Sequence, residues 1–452
     1  MEFKGKKILV IGAGMSGIAA CTLLYRIAQV TLHDSNVKLN EEELRKKLPD
    51  DFSGRIHIGR LTDEETENAQ ITVLSPGVPL DSEEVLQLKA KGSIITGEIE
   101  LAYELSKGRL IAITGTNGKT TTTSLVGEIM KAYTDEVFVV GNIGIPYTKM
   151  AEKTTNNSIT VAEISSFQLE TIDRFKPDVS AILNITPDHL NRHHSMENYC
   201  RIKASITKNQ TENDTCVLNY EDAWLKEFGK KAKCNVIWFS SARKLERGFY
   251  LDSDLIIYND GNKENVICNV NELNIIGKHN YENAMAAAAC AVAMNVPIEI
   301  IHKAMINFVA VEHRIEYVCT KHGVKYYNDS KGTNPDASIQ AVRAMQTKTY
   351  LIGGGYDKGN EYDDWIKSFD GKIKKLILMG QTAEKIAETA KKLGFNDIVF
   401  VKSMQEAVDY CSKNASEGET VLLSPCCASW DMFKNYEERG HIFKDLARAI
   451  KE

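Results

Sequence analysis

Residues 110–114 read as a buried strand that runs into Gly115-Thr116-Asn117-Gly118-Lys119-Thr120 and then a helical stretch to about residue 131. Strand, glycine loop and helix in that order turn backbone N–H groups and a helix N-terminus toward phosphate oxygens. Lys119 adds a positive charge at the terminal phosphates, and the Thr120 hydroxyl suits Mg²⁺. Glycines at 115 and 118 permit an approach that a Cβ would block. The loop is shorter than the full phosphate-loop pattern, which wants glycine at 113, where this chain has isoleucine. Two later strand ends carry metal-competent groups: Glu163 closes the run 159–163, and Asp188-His189 follows the run 179–185. In an open parallel sheet, ligands sit beyond the carboxyl ends of the strands. With Thr120 these groups would surround a Mg²⁺ on ATP phosphates, although histidine is an unusual ligand for an ion that prefers oxygen.

A second glycine pattern, Gly12-x-Gly14-x-x-Gly17 followed by Asp34, lies at the start of the chain and fits a diphosphate-binding turn. Alone it would suggest a nicotinamide or flavin enzyme. The same geometry accepts any diphosphate, however, and no second half of a hydride-transfer site is visible.

The elements that must position these groups alternate between strand and helix. Residues 7–12 read as strand, 17–28 as helix, 29–33 as strand, and 71–74 as a strand ending at Ser75-Pro76-Gly77. An Ala-rich helix is expected at 281–294 and a short one at 298–308. Further strands are expected at 324–328, 350–353, 376–379, 398–401 and 421–423. Such alternation implies parallel sheets covered by helices. The fold class is α/β, with three domains: Rossmann-like over 1–99, a central P-loop-type ATPase with a parallel sheet over 100–310, and Rossmann-like again over 311–452. A length of 452 residues agrees with three domains of about 150 residues each. A net charge of −6 argues against a nucleic-acid partner, which would call for a basic surface. The 10 cysteines include no Cys-x-x-Cys pair and are expected to be reduced and mostly buried. Residues 1–10 lack the apolar core of a signal peptide, and the longest apolar run, 284–294, is about half a membrane span. A soluble cytoplasmic protein without membrane insertion is expected.

Several motifs then fall into one ordered set. They are the loop 115–120, Glu163, Asn184-Ile185-Thr186-Pro187-Asp188-His189, Gly277-Lys278-His279-Asn280 with Asn283, His313-Arg314-Ile315-Glu316, and Asn328-Asp329-Ser330-Lys331. The set resembles the signature of Mur ligases. Both ends of the chain resemble the branch of that family that adds D-glutamate. The N-terminal half has Gly12-Ala13-Gly14-Met15-Ser16-Gly17, Asp34-Ser35, Ser75-Pro76-Gly77-Val78-Pro79 and Gly97-Glu98-Ile99-Glu100-Leu101. The C-terminal part has the run 423–433, Leu-Ser-Pro-Cys-Cys-Ala-Ser-Trp-Asp-Met-Phe.

The resemblance implies a reaction. The carboxylate of UDP-N-acetylmuramoyl-L-alanine attacks the γ-phosphate of ATP, and the amine of D-glutamate attacks the resulting acyl phosphate. It also implies residue roles. ATP would be bound by Gly115, Thr116, Asn117, Gly118, Lys119, Thr120, Thr121, Asn280, Asn283, Arg314 and Asp329, with Lys331 reaching toward the transfer site. The UDP substrate would meet Gly14, Met15, Ser16, Asp34, Ser35, Ser75, Pro76, Gly77, Asn142 and His189. D-glutamate would meet Thr333, Lys358, Ser429 and Tyr436. Two Mg²⁺ ions are implied, held by Thr120, Glu163, His189 and Lys203. Lys203, four residues after Tyr199, falls where the family carries a lysine carbamylated by CO₂; on spacing alone it would be a solvated charge. The segment between His189 and Tyr199 is one residue shorter than the family pattern, which puts that register in question. A monomer with a mobile third domain is expected. Folylpolyglutamate synthases share the shortened loop but would not need the glycine-rich first domain. A non-catalytic nucleotide sensor would be expected to have lost one of Lys119, Glu163, His189 or Asp329.

Overall fold

The run Ile71–Leu74 is buried at every position, which suits a strand covered on both faces. In the computed structural model, which describes residues 1–142, 144–309 and 311–451, it belongs to a five-stranded parallel sheet. The order across that sheet is Arg55–Ile58, Gln29–Asp34, Lys7–Ile11, Ile71–Leu74, Ile94–Gly97. The strand order reverses at Lys7–Ile11, so a crevice opens at its carboxyl end, where the first glycine loop leads into the helix Met15–Leu24. The helix stops earlier than its apolar pattern predicts. The N–H groups of Ile27 and Ala28 both close onto the Leu24 carbonyl at 2.9 Å and return the chain to the sheet.

The second sheet has nine strands, ordered Glu264–Asn269, Leu255–Asn259, Gly248–Asp252, Asn235–Ser240, Thr215–Asn219, Val179–Ile182, Arg109–Thr114, Ile159–Glu163, Val137–Gly141. From Gly248–Asp252 onward the pairing is parallel. The parallel arrangement expected for the central sheet is found over most of its width, and one edge departs from it: Gly248–Asp252 and Leu255–Asn259 form an antiparallel hairpin. Its residues mix buried and exposed positions, as a strand with one solvated face does. The strand expected over 179–185 ends at Ile182, and residues 183–186 instead grip the phosphate loop.

The third sheet is ordered Glu316–Lys321, Val324–Asn328, Thr420–Leu423, Thr349–Gly353, Ile373–Leu378, Ile398–Phe400. It is parallel except at its first edge, where Glu316–Lys321 pairs antiparallel with Val324–Asn328. The turn between them is His322-Gly323, both at positive φ (48° and 72°). Two successive positive φ values match the twist of a two-residue hairpin.

By internal contacts, Met1–Cys268 with Asn283–Met305 form one unit, and Asn269–Glu282 with Ile306–Glu452 form another. The first two sheets therefore share a unit. Glu100 joins them: its carboxylate accepts from the N–H groups of Asp173, Arg174 and Phe175 at 2.7–3.0 Å. The domain boundary expected at 310 and the chain end at 452 lie outside the described residues. All ten cysteines are free, and only Cys319 is not buried. Among the described residues no helix is long and apolar enough to cross a membrane.

Candidate active site

The buried strand Arg109–Thr114 delivers the chain to Gly115 at φ 148° and Gly118 at φ 85°, and the helix Lys119–Tyr133 follows. Gly118 is required on two counts. Its φ is left-handed, and a Cβ there would lie 2.2 Å from Asn283 Oδ1. The loop is held from the strand end opposite. Thr116 N–H donates to Asn184 O (2.9 Å). Asn117 N–H donates to Asn184 Oδ1 (2.8 Å), and Asn184 Nδ2 returns a bond to Asn117 O (3.1 Å). The Thr116 hydroxyl accepts from Thr186 N–H (3.0 Å) and lies 3.1 Å from Tyr199 OH. Lys119 curls over the loop and donates to Gly115 O (2.9 Å) and Thr116 O (2.8 Å). Thr120 and Thr121 are buried in the first helical turn. This is a preformed anion cradle at the positive end of a helix.

Two buried ionisable groups lie beside it, and the first suits a cation. Glu163 is 2 % exposed; Asn142 Nδ2 donates to its Oε1 at 2.9 Å, and its Oε2 is buried without a hydrogen-bond partner. A buried carboxylate oxygen left unpaired is costly, and a metal ion would satisfy it. Lys203, on the helix Met196–Ala204, is 1 % exposed. Its Nζ donates to Gly115 O at 2.9 Å and lies 4.8 Å from the Tyr199 ring centre. Burial, and then the charge of Lys119, hold its pKa well below the ordinary lysine value. Both disfavour the charged ammonium relative to the neutral amine.

The segment before it turns tightly. A single turn, Leu190–His193, is bracketed by His189 and His194 at φ 52° and 63°. The Ser195 hydroxyl then accepts from Asn198 N–H and caps the next helix. His189 is exposed, with its ring 4.8 Å from that of Phe167 and its Nε2 3.4 Å from Asp188. Among the described residues no hydrogen bond joins it to Glu163 or Thr120.

The crevice of the first sheet is built from close approaches. A Cβ on Gly12 would meet Ser75 Cβ at 2.7 Å, and one on Gly17 would meet Gly12 O at 1.8 Å. Asp34 accepts from Ala13 N–H (2.8 Å) and Asn36 N–H (2.9 Å), and Ser75 Oγ donates to Gly12 O (3.2 Å). Met15, Ser35 and Gly77 are exposed around this rim, with Ser16 and Pro76 half-buried.

The other unit holds its own set. Asp329 follows the strand Val324–Asn328, accepts from Ser424 Oγ (2.7 Å) and Ile315 N–H (3.3 Å), and is pushed by burial up to about 7. Arg314 precedes Ile315, which is held at φ 48°. Thr333 N–H donates to Lys331 O (2.9 Å), and Lys331 Nζ lies 5.6 Å from the Tyr436 ring centre. Asn280 is buried, with Nδ2 donating to Ile276 O. Ser429 is buried and Lys358 exposed. Glu312, His313 and His441 place three ligand atoms within 4.8 Å of one another. That group is not a good metal site. Asn328 Nδ2 lies 2.9 Å from His313 Nδ1, which leaves the proton on Nε2, and the Lys444 ammonium already sits on Glu312.

Three family models match the chain in succession. They are the Mur ligase MurD-like N-terminal domain over residues 6–97, the Mur ligase middle domain over 113–291, and the Mur ligase glutamate ligase domain over 313–427. The chain belongs to the Mur ligase family. It is 62 % identical to the UDP-N-acetylmuramoylalanine--D-glutamate ligase of Lachnoclostridium phytofermentans, over 100 % of both chains. To the protein of the same name from Clostridioides difficile it is 44 % identical, again over 100 % of both. Among solved structures it is similar to the UDP-N-acetylmuramate-alanine ligase MurC of Thermotoga maritima. The TM-score is 0.61 and the identity 18 %, over 98 % of this chain and 100 % of that one. It is also similar to the MurF ligase of Thermotoga maritima in complex with ADP, with TM-score 0.56 and 14 % identity over 86 % and 99 % of the two chains.

Two arginines of this Mur ligase escaped the motif reading. Arg192 forks onto Glu170 (2.6 and 3.2 Å), donates to Val78 O (2.9 Å) and covers the Phe167 ring at 5.0 Å. It thus ties the loop after Leu74 to the segment carrying His189. Arg439 is 2 % exposed and donates to Ser330 Oγ and O and to the carbonyls of Cys427 and Ala428 at 2.8–3.3 Å. Neither stands out by spacing, because an arginine on a helix reads as a surface charge.

Proposed function

We propose that this Mur ligase joins D-glutamate to UDP-N-acetylmuramoyl-L-alanine with conversion of ATP to ADP and phosphate, through an acyl phosphate. The observation that carries the reading is the 62 % identity to a ligase of that name over 100 % of both chains. The two ends, where Mur ligases differ most, are included. The preformed phosphate cradle supports the ATP half independently.

A carboxylate is a poor electrophile, and phosphorylation gives it a leaving group. The protein's task is positioning and charge neutralisation. The loop 115–118 and the N-terminus of the helix Lys119–Tyr133 hold the phosphates, and Lys119 leaves its carbonyl partners to neutralise the γ-phosphoryl oxygens. Asn280, Asn283, Arg314 and Asp329 would bind the rest of the nucleotide, with Lys331 near the transferred group. The first crevice, with Gly14, Met15, Ser16, Asp34, Ser35, Ser75, Pro76 and Gly77, takes the uridine diphosphate, and Asn142 and His189 also meet the UDP substrate. Thr333, Lys358, Ser429 and Tyr436 take D-glutamate.

Thr120, Glu163 and His189, with Lys203 as a carbamate, would hold Mg²⁺, two ions being expected; bound there, the metal would supply further charge neutralisation. The fit rests on the unpartnered Glu163 oxygen, and the buried Lys203 would join it only as a carbamate, which offers oxygen ligands. Addition of the neutral Lys203 amine to CO₂, with loss of one proton, makes an anionic carbamate. The neighbouring Lys119 charge, unfavourable to a second ammonium, favours the anion. With ¹³C-bicarbonate, wild type should show a carbamate resonance that Lys203→Arg lacks; equal spectra would reject the modification. The substrates are nucleotides made inside cells, so the working compartment is the cytoplasm, and the working form is a monomer.

Phosphate release from ATP tests the function. Purified protein with Mg²⁺ and UDP-N-acetylmuramoyl-L-alanine should turn over with D-glutamate, and not with L-glutamate, glycine or L-lysine. Turnover with another amino acid would keep the ligase chemistry and reject the substrate assignment.

A further inference from the structure

Lys358 is the cation expected to meet a carboxylate of D-glutamate, yet its surroundings are aromatic. Its Nζ lies 4.9 Å from the ring centre of Trp430. The Trp430 indole packs against Tyr356 with ring centres 5.5 Å apart. Trp430 is 62 % exposed and Tyr356 38 %. Among the described residues no carboxylate pairs with Lys358. The neighbouring Asp357 faces Lys385 at 3.8 Å and accepts from Gly359 N–H. The two aromatic residues are held as a pair by the backbone. Tyr356 and Ala428 form a β-bridge, with Tyr356 N–H donating to Ala428 O at 2.9 Å. A Cβ on Gly355 would strike that same carbonyl at 2.2 Å, so the strands meet at a glycine. An exposed indole anchored in this way, beside an unneutralised ammonium and one residue from Ser429, is unlike an incidental surface tryptophan.

We propose that Trp430, supported by Tyr356, is a positioning residue for the amino-acid substrate: its indole face fixes the Lys358 ammonium where a substrate carboxylate arrives. The inference rests on the assignment of Lys358 to D-glutamate. Lysine has four rotatable side-chain bonds, and an exposed lysine samples many rotamers. A ring face attracts the ammonium electrostatically without neutralising it. The charge therefore stays available for the carboxylate, which a carboxylate partner within the protein would not allow. The rings also offer an apolar wall to the substrate methylenes.

Steady-state kinetics of the full chain would test this. Trp430→Ala should raise the KM for D-glutamate roughly three- to tenfold, the range a cation–π contact supports. The kcat and the KM values for ATP and the UDP substrate should stay within about twofold, on the same scale. Trp430→Phe, which keeps a ring face, should restore most of the affinity. D-glutamate should also change the tryptophan emission of wild type, and this change should vanish in Trp430→Phe. An unchanged KM in Trp430→Ala, or a rise of all three KM values that Phe does not rescue, would overturn the proposal while leaving the ligase assignment intact. Failure of wild type to use D-glutamate at all would overturn that assignment and this proposal with it.

Discussion

Single residues carry the chemistry, and they were unequally legible. Lys119 was readable because its neighbours on both sides constrain it: a buried strand before, a helix after, and glycines at positive φ between. Lys203 was readable only through the family resemblance, since an i, i+4 pair with Tyr199 is common on surface helices; the structure adds that it is buried and faces inward at Gly115 O. Lys119→Ala should abolish ATP-dependent phosphate release. It should leave the melting temperature nearly unchanged, because the half-buried ammonium donates to the loop carbonyls of Gly115 and Thr116, which water can reach in its place. Near-normal turnover would remove the cradle from the mechanism. Asp329 gives a pH test. Folding raises its carboxyl from 3.8 to about 7, through burial. Between those values the unfolded chain has lost the proton and the folded chain keeps it, so stability falls as pH rises through the window and levels off above the folded value. The loss is at most roughly 4 kcal/mol, about 1.4 kcal/mol for each unit. Urea midpoints for wild type and Asp329→Asn, compared at pH 5 and pH 8, should differ by a smaller pH-dependent drop in the asparagine variant. Parallel pH profiles would show that Asp329 does not titrate there.

Among elements, the buried parallel strands were the most legible. Ile71–Leu74 and Ile159–Glu163 match their expected bounds, because a strand covered on both faces is a largely apolar run between turn residues, and Val324–Asn328 matches through its alternation of buried and more exposed positions. The edge pieces were not read. Glu316–Lys321, Gly248–Asp252 and Leu255–Asn259 have mixed patterns that loops also show, although His322-Gly323 between two alternating runs was a usable hairpin signal. Short pieces can still decide function. The turn Leu190–His193 exists between two left-handed histidines, and its Arg192 fork reaches the loop that follows Ile71–Leu74. Lysine keeps the charge and loses the fork, so Arg192→Lys should raise the KM for the UDP substrate roughly three- to tenfold. A weakened charge-assisted pair supports that size. The KM for D-glutamate should hold. Equal effects on both substrates, or none on the UDP substrate, would make Arg192 a packing residue only.

At the scale of the whole molecule, the three-domain pattern was readable from the repeated strand–helix alternation, but the partition of contacts was not. The reason lies in the helix Lys278–Ala293, whose first residues belong to one compact unit and whose remainder belongs to the other. Linear sequence cannot signal that a single helix is divided in this way. Its inner part is buried throughout: Met285 and Cys290 are 0 % exposed, as is Ile301 on the next helix, and Asn283 stands against Gly118. Burying a side chain such as methionine or isoleucine contributes roughly 1.5–3 kcal/mol, so several such side chains equal much of a domain's net stability. A chain ending at residue 268 lacks all of them and should be insoluble or show no cooperative thermal transition. A chain ending at residue 309 keeps them and should melt cooperatively, with the UDP substrate raising its melting temperature through the intact first crevice. If the shorter chain also melted cooperatively and bound ATP, the segment 283–305 would not be part of the first unit's core, and the placement of Asn283 beside the phosphate loop would have no structural role.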